Sequence, residues 1–187
     1  MIRIVVGISG ASGSIYGVRL LEQLHERGDV ETHLIVSRPA EKTLFQETGK
    51  TLNDLKPLAS QWHPIEEIGA NIASGSFPTD GMVIAPCSIH TMSAVATGMA
   101  SNLLVRAADV TLKERRRLIL VVRESPLHLG HLRTLVSLAE MGAILAPPMP
   151  AFYAKPATME EMVDQTVGRI LDLLGLPASG TRRWQGC

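Results

Sequence analysis

The sequence predicts an α/β fold of the doubly wound kind, flavodoxin-like or Rossmann-like, with one parallel sheet in a single domain spanning residues 1–187. Two observations point there. Short apolar runs alternate with stretches of helical periodicity along the whole chain, and the runs are apolar at nearly every position, as strands buried on both faces are. Two of these runs also empty into turns of glycine and hydroxyl residues, Gly7 to Gly13 and Pro86 to Thr91, at which a helix begins.

Arg3 to Ile8 reads as the first strand. Gly7, Gly10 and Gly13, with Ser9 and Ser12 between them, leave room for close backbone approach. The first amides of the following helix have no intrahelical acceptor, so this junction offers an anion site; a tight turn without a ligand is the alternative. Ile15, Val18, Leu21 and Leu24 recur at helical spacing up to Gly28. Thr32 to Val36 is a second strand ending in Ser37, and Pro39 opens a helix that reaches about Glu47. Thr51 to Trp62 is expected to be a short helix interrupted at Pro57, and Ile65, Ile68 and Ile72 suggest another that ends near Ser74-Gly75-Ser76. Met82 to Ala85 is the third strand, followed by helices over Thr91 to Thr97 and Asn102 to Arg115, parted by Gly98. Leu118 to Val122 is the fourth strand and delivers Arg123 and Glu124 at its C-terminal end. Leu129 to Met141 is helical, and Ala143 to Ala146 is a fifth strand. Thr158 with Glu161 reads as the capping box of a last helix closed by Gly175. The tail from about residue 176 is expected to pack on the domain or on a neighbouring subunit.

Eighteen Lys and Arg balance eighteen Asp and Glu, which gives no reason to invoke nucleic acid or an anionic membrane surface as a partner. No apolar run is long enough to span a bilayer and Met1 leads straight into the first strand, so a cytoplasmic location is expected. Cys87 and Cys187, so differently placed, read as reduced thiols and not as a disulfide framework. No Gly-Lys-Ser/Thr follows the glycines, Ser12 lacks the second glycine of a G-x-S-x-G elbow, and the glycine spacing is not G-x-G-x-x-G. Ser37 also stands where a dinucleotide fold would place an acidic residue for the ribose. A mononucleotide or another phosphorylated ligand is indicated.

In such sheets the ligand lies outside the carboxyl ends of the strands. That rule gathers Ser9 to Gly13, Ser37, Pro86 to Thr91, Arg123-Glu124 and Pro147 to Tyr153 on one rim. Arg123 suits a phosphate and Glu124 a proton transfer, although the pair reads equally as a surface ion pair. Aromatic residues make up only 4% of the chain, so Tyr153 is conspicuous; it either donates its hydroxyl to a phosphate or packs a loop onto the core. Arg169 falls at the border of the last helix's apolar face, where an arginine snorkels or reaches a ligand. Trp184 caps a pocket or anchors the tail. Lys113-Glu114-Arg115-Arg116-Arg117 reads as a solvated helix end. His128 and His131 lie three apart with no CxxC or HExxH beside them, so no metal is expected. Cys87 is either a buried inert thiol or, with His90 three residues on, an activated one.

Seven segments in fixed order resemble the flavin prenyltransferases of the UbiX family over nearly the full chain. They are Gly7-Ile8-Ser9-Gly10-Ala11-Ser12-Gly13, Ser74-Gly75-Ser76-Phe77, Pro86-Cys87-Ser88-Ile89-His90-Thr91, Arg106-Ala107-Ala108-Asp109-Val110, Leu112-Lys113-Glu114-Arg115-Arg116, Arg123-Glu124-Ser125-Pro126-Leu127 and Pro150-Ala151-Phe152-Tyr153. The resemblance implies a flavodoxin-like domain in a large homo-oligomer, commonly a dodecamer, with active sites at subunit contacts. It also implies metal-free transfer of a dimethylallyl group from dimethylallyl monophosphate to N5 and C6 of reduced FMN. The product, prenylated FMN, would serve a UbiD-type decarboxylase, as in ubiquinone synthesis. Carried onto this chain, the resemblance makes Gly10, Ala11, Ser12, Ser37, Ser88, Ile89, His90, Thr91 and Arg123 the FMN contacts. It makes Tyr153, Arg169 and a neighbouring subunit's Lys113 the binders of the prenyl phosphate. Glu124 and Ser12 match a proton relay, Glu47 stands with them as catalytic, and Trp184 lines the substrate side. Two functions stand beside this one: a flavin-dependent cysteine decarboxylase of the same fold class, and a non-catalytic FMN carrier subunit. The first would be expected to carry an Asn in the loop that here reads Pro148-Met149-Pro150-Ala151, and the second would not need Tyr153, Arg169 or Glu124.

Overall fold

The computed structural model describes residues 1–178 and 180–186, so the expected thiol of Cys187 lies outside the described residues. β1 (Ile2–Ile8) passes into α1 (Ser14–Arg27) through Gly13, whose φ of 101° is one that side chains rarely tolerate. β2 (Val30–Val36) feeds α2 (Arg38–Thr48), where the Ser37 hydroxyl caps the helix by accepting from the Ala40 amide at 3.3 Å. There follow α3 (Leu52–Leu55), β3 (Gln61–His63), β4 (Gly81–Cys87), α4 (Ile89–Ala96) and α5 (Leu103–Lys113). The chain then forms β5 (Arg117–Val122), α6 (Leu129–Glu140), β6 (Ile144–Leu145) and α7 (Met159–Leu174).

The six strands are all parallel and lie in the order β3-β2-β1-β4-β5-β6. The winding reverses between β1 and β4, which creates a crevice beyond their carboxyl ends. Leaving out short β3, the remaining strands follow the flavodoxin order; with it, they follow the order of dinucleotide-binding folds.

Alternation along each strand builds two cores. Ile4, Val6, Ile8, Val83, Ala85, Ile119 and Val121 face α1 and α7. Val5, Met82, Ile84, Leu118 and Leu120 face α4, α5 and α6. Both sides being covered, an uninterrupted apolar run is the pattern that a strand here requires. Gly17 lets α1 settle on β4, since a Cβ there would meet the Ala85 carbonyl oxygen at 2.3 Å.

Two expectations fail, both between residues 51 and 77. The helix expected from Thr51 to Trp62 is only the single turn of α3 and a 3₁₀ turn at Lys56–Leu58, after which Gln61–His63 pairs with His33, Leu34 and Ile35 of β2 as a sixth strand. Pro57 cannot donate to a continuing helix, and the sheet edge offers Trp62 a better partner. The helix expected over Ile65, Ile68 and Ile72 is an irregular segment with one 3₁₀ turn at Asn71–Ala73. Distant groups hold it. The Leu103 amide donates to the Ile65 carbonyl, Arg106 donates to the Ala73 carbonyl, and Arg116 donates to the carbonyls of Gly75 and Phe77. Arginines quoted above as family motifs therefore act as struts. The capping box at α7 is half formed: Thr158 accepts from the Glu161 amide, while the Glu161 carboxylate takes the Ala157 amide.

Candidate functional site

A cavity of about 610 Å³ opens over the crevice. Ser37, Ser88 and Thr91 give it a polar floor, Ile65, Ile68, Ile89 and Leu104 an apolar wall, and Gly10, His90 and Glu124 complete its rim. At its mouth Arg38 pairs with Glu66 at 2.6 Å, both side chains well exposed. The sequence reads Ile65 and Ile68 as part of a helix; only the strutted, irregular path of residues 64–77 carries them to the cavity.

Two helix N-termini meet at this crevice. At α4 the Ser88 hydroxyl accepts from the Thr91 amide at 3.2 Å and donates to the Thr91 hydroxyl at 3.1 Å. The Ile89 and His90 amides, first in the helix, have no acceptor among the described residues. Free donors at the positive end of a helix suit an oxyanion. At α1 the expected anion seat is already taken: Glu47 accepts from the Gly13 and Ser14 amides, each at 2.9 Å. Partial burial of that carboxyl works against its charge, but the Ser12 hydroxyl and these two amides outweigh it and hold Glu47 below the usual carboxylate range. The sequence pattern shows the donors, not an acceptor thirty-odd residues away.

Of the remaining candidates, Arg123 begins where β5 ends, its amide donating to the Cys87 carbonyl at 3.1 Å, and its charge is felt by half-buried Tyr16. Glu124, exposed beside it, accepts from the Ser125 amide. Of the expected site residues, Gly10, Ser37, Ser88, Ile89, His90, Thr91 and Glu124 line the cavity, whereas Ala11, Ser12, Glu47, Arg123, Tyr153, Arg169, Trp184 and Lys113 do not. Tyr153 stacks edge-on against Trp184 with ring centres 5.7 Å apart. The described tail runs along α7: Gln165 exchanges two hydrogen bonds with the Arg182 backbone, and Asp172 binds both Arg183 and Arg169. Lys113 sits at the opposite rim, where α5 ends before β5 begins, paired with Glu114 against Gly75.

Cys87 is fully buried, and burial pushes its thiol up to about 12, so the inert alternative holds. His128 caps α6, its Nδ1 accepting from the Gly130 and His131 amides. Among the described residues no group of three or more His, Cys, Asp or Glu gathers as a metal site, and no helix is long and apolar enough to cross a membrane.

One relative, the flavin prenyltransferase UbiX of Thauera aromatica, is 54% identical over 184 residues, 98% of this chain and 94% of that protein. The chain belongs to the UbiX flavin prenyltransferase family. Residues 1–171 also match the family model described as Flavoprotein. The UbiX fold is reproduced closely: the crystal structure of AnUbiX (PadA1) with FMN and dimethylallyl pyrophosphate superposes with a TM-score of 0.97 at 45% identity, covering 100% of this chain and 98% of that one. The dodecameric FMN-dependent UbiX-like decarboxylase of Escherichia coli O157:H7 gives the same TM-score and identity, covering 99% of this chain and 100% of that one. The doubly wound, flavodoxin-like class expected from the sequence is thus the one observed.

Proposed function

We propose that this chain is a flavin prenyltransferase that moves the dimethylallyl group of dimethylallyl monophosphate onto N5 and C6 of reduced FMN, and that its prenylated FMN goes to a UbiD-type decarboxylase. One observation carries the reading: a cavity at the switch point, apolar on one wall, with the hydroxyls of Ser37, Ser88 and Thr91 on its floor beside two helix amides that have no acceptor among the described residues, in a chain more than half identical to a flavin prenyltransferase. Its volume suits a cofactor-sized ligand.

FMN fits the donors present. In this proposal its phosphate rests on the Ile89 and His90 amides with the Ser88 and Thr91 hydroxyls, and its ring lies against Ile65, Ile68 and Leu104, near Gly10, Ala11, Ser12 and Ser37. Bound reduced FMN supplies the nucleophilic ring atoms. Arg123 balances negative charge beside it. Glu124, with Ser12 and Glu47, holds and moves the proton lost at ring closure. Tyr153, Arg169 and a neighbour's Lys113 stabilise the departing phosphate, with Trp184 closing that side. That Lys113 lies at the far rim of its own domain supports a second copy completing the site.

The same proposal includes a homo-oligomer, a dodecamer as in the E. coli relative, located in the cytoplasm. Leu129, Leu132 and Val136 of α6 stand 60%, 46% and 58% exposed at three- and four-residue steps, an apolar stripe suited to a neighbouring subunit. The test is anaerobic incubation with reduced FMN and dimethylallyl monophosphate, followed by mass measurement of the flavin released on denaturation. A five-carbon gain is expected; recovery of unmodified FMN from protein that binds both molecules would overturn the reading in favour of a carrier.

A further inference from the structure

We infer that Ser9, which meets no solvent and so no ligand, is the positioning residue that aims the α4 amides at the flavin phosphate; the inference rests on the flavin reading above. Ser9 is 0% exposed. Its hydroxyl donates to the Pro86 carbonyl at 2.9 Å and accepts from the Ser88 amide at 2.7 Å, while its own amide also donates to Pro86 at 3.2 Å. These bonds join the end of β1 to the junction of β4 and α4 across 77 to 79 residues.

They stand where the sheet stops providing such bonds. The β1–β4 pairing runs from Ile4 and Gly81 to Gly7 and Ile84 and ends there, Pro86 has no amide to continue it, and the β4–β5 register shifts between Ile84 and Cys87. Beyond that point the tie from β1 to the junction consists of the Ser9 amide and the buried Ser9 hydroxyl, and only the hydroxyl reaches Ser88. By engaging the Ser88 amide it fixes the residue whose hydroxyl in turn binds Thr91, and so fixes the direction of the Ile89 and His90 amides between them. Without Oγ the Ser88 amide loses its acceptor, and Ser88 is held only through the Pro86 and Cys87 carbonyls before it, which the Ser9 and Arg123 amides still engage; anion recognition by preset amides is sensitive to the shift this allows.

The experiment compares FMN with riboflavin, which has the same ring and no phosphate, by fluorescence titration of the parent and Ser9→Ala. FMN Kd is expected to rise about tenfold, with riboflavin Kd unchanged within about twofold, so that the preference for the phosphorylated flavin drops about tenfold. Equal weakening of both flavins, or no change in either, would overturn the role of Ser9. A parent protein that binds no FMN would instead overturn the flavin reading itself. Should Ser9→Ala lose its native circular dichroism, Ser9→Cys, of similar size but a poorer hydrogen-bonding group, is read by the same ratio and the same criteria.

Discussion

The N-termini of α1 and α4 flank one crevice, each fed by a strand that ends in small and hydroxyl residues, yet they are left in opposite states. At α1 a carboxylate from α2 already sits on the Gly13 and Ser14 amides. At α4 the Ser88 hydroxyl caps only the Thr91 amide, and the two amides before it have no acceptor among the described residues. Two turns of different sequence and capping thus both present helix amides to the crevice, and a single distant side chain decides which set remains available. An anion arriving at α1 must first displace the Glu47 carboxylate; one arriving at α4 meets amides that no described residue engages.

The strongest way to break this contrast is at α4. The double variant Ser88→Ala, Thr91→Val is expected to weaken FMN roughly 100-fold, as the loss of two hydrogen bonds to a charged group would, measured by flavin fluorescence; a change under threefold would mean that the phosphate sits elsewhere.

Acid offers a second test, because it should act away from both helix ends. His33 Nδ1 and His63 Nε2 lie 2.9 Å apart, with Glu31 on the other nitrogen of His33, Arg3 on Glu31, and Glu67 near His63. Burial lowers both histidines, in His33 against the opposing pull of Glu31. Unfolding lets them take up protons, so stability is full above the ordinary value of 6.5 and falls as pH drops below it. Each proton taken up tilts stability by at most about 1.4 kcal/mol per pH unit. Thermal melts from pH 7.5 to 5 should show this slope, flattened in His33→Gln and preserved in Glu47→Gln, because the parent's Glu47 carboxylate, held below its usual range, does not take up its proton in that window.

The smallest effect sharpens the contrast from the other side. Glu47→Ala should cost about 0.5–1 kcal/mol by leaving the α1 amides to water, with FMN Kd within about threefold of the parent. Added phosphate should then raise the melting temperature of the variant more than that of the parent. A variant indifferent to phosphate would show that α1 offers no anion seat even when vacated.

Much of this was legible in the residues. Uninterrupted apolar runs such as Ile4-Val5-Val6 and Leu118 to Val122 mark strands covered on both faces, and the rule of strand carboxyl ends leads to Ser37, Ser88 and Glu124 on one cavity. What was hidden depends on partners far along the chain. Gln61-Trp62-His63 has no strand pattern of its own and becomes one only because β2 presents an open edge. Residues 64–77 carry isoleucines at a helical period, but Arg106 and Arg116 draw their carbonyls elsewhere. The bond between Glu47 and Gly13 spans 34 residues, and no local spacing reports it.

The sheet is bordered by its two shortest strands, three residues of β3 on one side and two of β6 on the other. So brief a border gives an incoming chain almost no ladder to zip onto, which guards against fibre-like growth. In the assembly proposed above, copies would then meet through helix surfaces, such as that of Leu129 and Val136, and each sheet would stay private to its own subunit.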